Sequence, residues 1–78
     1  MNNTTMIGYI KVALDSLKEA GTQGIPAGHL YAAFMTKGMN LDQYNKLESM
    51  LTKVFKINKS SYLLTWTKES EELLGDRK

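Results

Sequence analysis

The stretch Gly38-Met39-Asn40-Leu41-Asp42-Gln43-Tyr44 ends one helix and begins another within a very tight turn. Gly38 suits the left-handed position that closes a helix, and Met39 then folds back as the apolar contact that accompanies such a cap. Asn40 is a strong N-cap residue. Gln43, three positions on, completes a capping box, while Met39 and Tyr44 stand at the two positions of a hydrophobic staple. Three independent start signals coincide here, and they predict two helices joined by a sharp corner.

Outward from this corner the periodicity is helical on both sides. The preceding helix covers roughly Ala27 to Lys37 and turns Leu30, Ala33, Phe34 and Tyr31 inward. The following one, Leu41 to about Phe55, sets Tyr44, Leu47, Met50, Leu51, Val54 and Phe55 on one broad face, the strongest periodic signal in the chain. Further upstream, Met6 to Ala20 carries a stripe of Ile7, Ile10, Leu14 and Leu17, widened by Met6 and Ala13. Thr4 or Thr5 caps its start and Gly21 closes its end. Between the first two helices, Thr22-Gln23-Gly24-Ile25-Pro26 is too short for a helix. A residue or two around Ile25 is expected to be extended, with Pro26 entering the first helical turn, where its missing N–H does no harm.

Downstream the period changes to alternation. Phe55-Lys56-Ile57-Asn58, a turn near Lys59-Ser60, and Ser61-Tyr62-Leu63-Leu64-Thr65-Trp66 read as a short hairpin, with Tyr62, Leu64 and Trp66 on one face. Thr67 then caps a brief helix, Lys68 to Leu74, whose first turn carries Glu69 where the helix dipole favours an anion. Residues 5–74 form one domain in this reading, with residues 1–4 and 75–78 as disordered termini.

Seventy-eight residues with 42% apolar side chains suffice for a small packed core. There is no cysteine, so no disulfide, thiolate zinc site or Cys nucleophile is available. A single histidine, His29, forms no familiar zinc site on its own, and no cofactor or metal is expected. As a surface residue near the start of the second helix, His29 is either inert or a phosphate contact. No basic leader precedes the first helix and no apolar run approaches the ~20 residues that span a bilayer. A cytoplasmic protein with no membrane partner is the expectation.

The formal charge of +2 is unevenly placed. Residues 37–59 hold Lys37, Lys46, Lys53, Lys56 and Lys59 against only Asp42 and Glu48, whereas the first 36 residues are balanced and the last twelve slightly acidic. A basic centre attracts nucleic acid, although the same charges also suit an ordinary solvated face.

Helix, short strand, helix, tight turn, helix and hairpin, in that order, resembles the winged-helix class of helix-turn-helix domains over nearly the whole chain. Leu64-Thr65-Trp66-Thr67 leading into Glu71-Glu72-Leu73-Leu74 is similar to the strand that ends in a Leu-Thr pair and enters a helix in many bacterial winged-helix regulators. The resemblance implies an α+β fold: three helices, a short β-hairpin wing and a short C-terminal helix. It further implies that Ile25 pairs with the second hairpin strand and that residues 41–55 are the recognition helix. The wing between Ile57 and Tyr62 is short, with Lys59 its sole charged group.

At about 100° per residue, the third helix turns Asp42, Asn45, Lys46, Ser49, Thr52 and Lys53 away from its apolar face, with Gln43 and Glu48 at the borders. In a helix-turn-helix the start of this helix enters the major groove, where Asn and Ser reach base edges and lysines reach phosphates. Asn45, Lys46 and Ser49 are the expected base contacts, and Lys37, Lys53, Lys56 and Lys59 the phosphate contacts. Asp42 either serves its own helix dipole or accepts from cytosine N4. Trp66 and Tyr62 are expected in the core rather than as stacking platforms. The methionines are expected to fill gaps.

No defensible Ser-His-acid spacing, glycine-rich phosphate loop or carboxylate cluster outside the tail is present, so no enzyme is expected. The expected function is a winged-helix regulator that binds double-stranded DNA. The alternative is a winged-helix protein-interaction module without DNA binding, since fold does not fix function. A homodimer or protein partner could use the C-terminal helix, with Leu73 and Leu74, or an exposed part of the first helix, but those two leucines are expected to pack on the domain's own core.

Overall fold

The computed structural model of the chain describes residues 3–75, with side-chain surroundings described for residues 6–74. The disorder expected at residues 1, 2 and 76–78 lies outside the described residues. The elements are α1 (Asn3–Ala20), a short 3₁₀ turn (Gly21–Gln23), β1 (Ile25–Pro26), α2 (Ala27–Met35), α3 (Leu41–Lys53), β2 (Asn58–Ser60), β3 (Leu63–Thr65) and α4 (Lys68–Ser70). A wider turn of π type, Glu71–Gly75, follows α4 directly. This is an α+β fold with the winged-helix-like order of elements that the sequence implies.

The corner between α2 and α3 forms as its chemistry dictates. Gly38 is left-handed, with φ 99°. Its N–H bonds the carbonyl of Met35, and the N–H of Met39 reaches back to Phe34, the paired bonds of a Schellman cap. Asn40 accepts from the Gln43 N–H at 2.9 Å while the Gln43 side chain accepts from the Asn40 N–H at 2.9 Å. Both halves of the capping box are therefore made. Met39 and Tyr44, the staple pair, are buried.

The three strands make an antiparallel sheet in the order β1-β3-β2. Ile25 pairs with Leu64 and Pro26 with Leu63, so Pro26 lies on an edge strand where its missing N–H is tolerated. Gly24 permits that pairing. Its φ is +73°, and a Cβ built on it would lie 2.6 Å from the carbonyl oxygen of Leu64. The core gathers beneath the sheet from all three long helices: Ala13 and Leu17, Leu30 and Phe34, Leu47 and Leu51, with Ile57 and Leu64. Tyr9 meets Phe34 edge to face at 5.0 Å, and its hydroxyl bonds the Lys37 carbonyl, tying α1 to the corner.

Several expectations are corrected. Helix α1 begins at Asn3, so Thr4 and Thr5 lie inside its first turn rather than capping it. Pro26 is the N-cap of α2, one position before the first turn. Helix α2 ends at Met35 because the Schellman turn occupies Thr36 to Gly38, and Ala33 faces solvent. Helix α3 ends at Lys53, leaving Phe55 half-buried and Val54 exposed, while Met50, inside the helix, is exposed at the edge of its apolar face. Ile7, read as part of the buried stripe, is 65% exposed, while Leu14 is half-buried.

The hairpin turn is also displaced. Strand β2 starts at Asn58 and runs through Lys59 and Ser60, so the loop is Ser61-Tyr62, with Ser61 left-handed at φ 57° as a two-residue hairpin loop requires. Tyr62 consequently leaves the face of Leu64 and Trp66 and stands 78% exposed. Trp66 is half-buried against the core.

The segment after β3 is held by hydroxyls. Thr67 accepts from the Ser70 N–H at 3.0 Å and donates to the carbonyl of Lys56 at 2.8 Å. Ser70, buried, donates to the carbonyl of Phe55 at 2.9 Å. The Thr67 cap expected from the sequence therefore also fixes the chain that leaves α3.

Candidate nucleic-acid interface

Helix α3 is positioned from its N-terminal end. The Schellman turn and capping box fix its direction, and Tyr44, Leu47 and Leu51 fix its rotation by burial. With that rotation, Asp42, Asn45, Lys46, Ser49 and Lys53 face solvent, and Gln43, Glu48 and Thr52 lie at the borders. The Thr52 hydroxyl is spent inside the helix, donating to the carbonyls of Glu48 and Ser49 at 3.1 and 3.2 Å. The side chains of Asn45, Lys46, Ser49 and Lys53 have no partner among the described residues.

The lysines expected on phosphates fall into two groups. Lys37 projects from the corner, Lys53 from the last turn of α3 and Lys56 from the segment beyond it, and all three are exposed. Lys56 holds a left-handed backbone, φ 64°, where a helix usually ends on glycine. Lys59 differs. Its Nζ lies 2.7 Å from Oε1 of Glu48, the single ion pair among the described residues.

Glu48 therefore joins α3 to the wing, a role that sequence reasoning missed by leaving it at the border of the helix. Its other oxygen, Oε2, accepts from the Tyr44 hydroxyl at 2.9 Å. The carbonyl of Ala27, 3.3 Å from the same hydroxyl, is the weaker alternative for its single proton. Burial, and then the hydrogen bond and charge of Glu48, push the Tyr44 phenol above its ordinary range. It stays neutral and keeps donating. The chain Tyr44–Glu48–Lys59 thus ties the wing's one cation to α3. The i, i+4 spacing of Tyr44 and Glu48 is the signal that could have found half of this network.

Tyr62 was missed as a surface group. It caps the wing, its carbonyl bonded to the N–H of Ala27 and its ring in solvent. His29 is exposed near the start of α2. Leu73 is exposed, Leu74 is half-buried, and the Trp66 indole N–H donates to Glu71 at 3.0 Å. Among the described residues no group of three or more His, Asp or Glu side chains could hold a metal ion. No helix among them is long and apolar enough to cross a membrane.

The site is thus a solvated helix face of short polar side chains and lysines, rigidly aimed, with further lysines at the corner, beyond the helix end and on the wing. Set against protein-family models, curated proteins and solved structures, the chain matches none.

Proposed function

We propose that the chain is a small winged-helix regulator, cytoplasmic in setting, that binds double-stranded DNA through α3. Asn45, Lys46 and Ser49 meet base edges in the major groove, and Lys37, Lys53, Lys56 and Lys59 meet phosphates. One observation carries the reading: the outward face of α3 holds Asn45, Lys46, Ser49 and Lys53 exposed and without partners among the described residues, on a helix whose direction is fixed by its capped start and whose rotation is fixed by its buried face. Unpaired polar groups on a rigid helix are suited to base edges, and loose ones are not.

Four phosphate contacts imply a modest, salt-sensitive grip. The logarithm of affinity should fall against that of salt with a slope of about −3.6, a loss of roughly a hundredfold between about 50 mM and about 200 mM salt. Fluorescence anisotropy of a labelled duplex measures this. Changing Lys46 and Lys53 together to Glu should abolish binding at low salt; unchanged binding would mean that another face is used.

A second reading is favoured by Leu41, Met50 and Val54, which leave apolar surface exposed along α3. In that reading α3 contacts a protein and DNA is not bound. Met50→Ser with Val54→Ser separates the two. DNA affinity stays within about threefold if the polar face is the site, because neither residue contributes a phosphate contact.

A further inference from the structure

A groove of about 350 Å³ runs beside α1, walled by Ile7, Leu14, Trp66 and Leu74, with Lys11, Asp15 and Lys18 also on its lining. We infer that a second copy of this chain docks here, its α1 antiparallel to the first, so that Lys11 of each protomer meets Asp15 of its partner.

The apolar part of the surface calls for cover. Ile7 is 65% exposed although it continues the stripe that buries Ile10 and Leu17, and Val12 is exposed on the far side of Lys11 and Asp15. Gly8 lies on the same outward face. A Cβ built there meets no atom within 4 Å. A glycine in a helix interior is unfavourable relative to alanine, and nothing among the described residues makes use of this one. Close approach of another backbone is the ordinary use of such a position.

The charges choose the occupant. Lys11 and Asp15 are exposed and one turn apart, and neither makes an ion pair or hydrogen bond among the described residues. Their order on the helix, cation before anion, is the less favourable one for pairing within the helix. Lys18 has a partner within the chain, so the charges left here are one cation and one anion side by side, which select neither an anionic nor a cationic partner. They are complementary to themselves after a two-fold rotation. An axis perpendicular to α1 and level with residue 13 brings each Lys11 against the partner's Asp15, the reciprocal contact of an isologous dimer.

Sedimentation equilibrium over a concentration series, without nucleic acid, tests the inference and does not depend on the DNA reading. The wild-type chain should approach twice its monomer mass. Lys11→Glu and Asp15→Lys should each weaken association by at least about tenfold, since each sets like charges together at both contacts. An equimolar mixture of the two variants should recover the dimer, one now doubly negative at the face and the other doubly positive. Circular dichroism and Trp66 emission confirm that both variants are folded. As a second measurement, dilution of the wild-type protein should move amide resonances between Ile7 and Lys18. A wild-type chain that is monomeric throughout, single variants that dimerise like wild type, or a mixture that fails to recover would each overturn the inference. So would dilution shifts confined to α3.

Discussion

Gly24 and Lys56 hold the same half of backbone conformational space for different reasons, and substitution separates them. At Gly24 a side chain has no room, because Leu64 of the central strand lies against the backbone. Gly24→Ala is expected to cost about 1–3 kcal/mol, read as a lower urea midpoint at unchanged slope. An unchanged midpoint would contradict the close β1–β3 approach. At Lys56 the backbone is left-handed in open surroundings. A non-glycine residue is disfavoured there by about 1–2 kcal/mol, and glycine gives back about 0.5–1 kcal/mol in chain entropy. Lys56→Gly should therefore stabilise the fold by up to about 1 kcal/mol. The same change removes one of the proposed phosphate contacts and should reduce the salt slope of DNA binding by about 0.9. Thermal denaturation and anisotropy should move in opposite directions. A variant that lost both stability and binding would show that the lysine side chain supports the fold.

At the level of elements, α3 and the wing are coupled through Glu48, which holds Lys59 at 2.7 Å. In the proposed complex a phosphate has to take Lys59 from that carboxylate. Glu48→Gln should raise DNA affinity several-fold at low salt more than the control Glu19→Gln on α1 does, while costing no more than about 1 kcal/mol of stability, as for a part-exposed pair. If Glu48→Gln weakened binding, the pair would instead be the geometry that DNA needs. The contrast between this link and the α2–α3 corner shows what was legible from sequence. Asn40, Gln43, Gly38 and Thr67 were readable because caps act over three or four residues of the chain. The hairpin turn was not. Lys59-Ser60 has ordinary turn chemistry, but Leu64 is fully buried and pairs with both Ile25 and Lys59, and this register moves the loop to Ser61-Tyr62. Ile7 failed for a related reason: it sits at the edge of its stripe, where what packs beside the helix decides burial. Val54 was lost to the early end of α3, and Met50, inside the helix, to the edge of its apolar face.

For the whole molecule, the uneven charge visible in the sequence survives folding but is smaller in effect than its count. Of the five lysines between residues 37 and 59, Lys59 is paired, and Lys46 and Lys53 share α3 with Asp42 and Glu48. On the proposed DNA reading this gives a weak monomeric grip, which a two-fold dimer through α1 would strengthen by presenting two copies of α3 to one duplex. The most direct measurement of the central claim is a ¹⁵N-resolved titration of the wild-type chain with a short mixed-sequence duplex at low salt, repeated at moderate salt. The expected result is progressive shifts at Asn45, Lys46, Ser49 and Lys53, joined by Lys37 and Lys59, that largely collapse as salt rises. No shift on α3 at low salt, or shifts confined to other faces of the molecule, would contradict it.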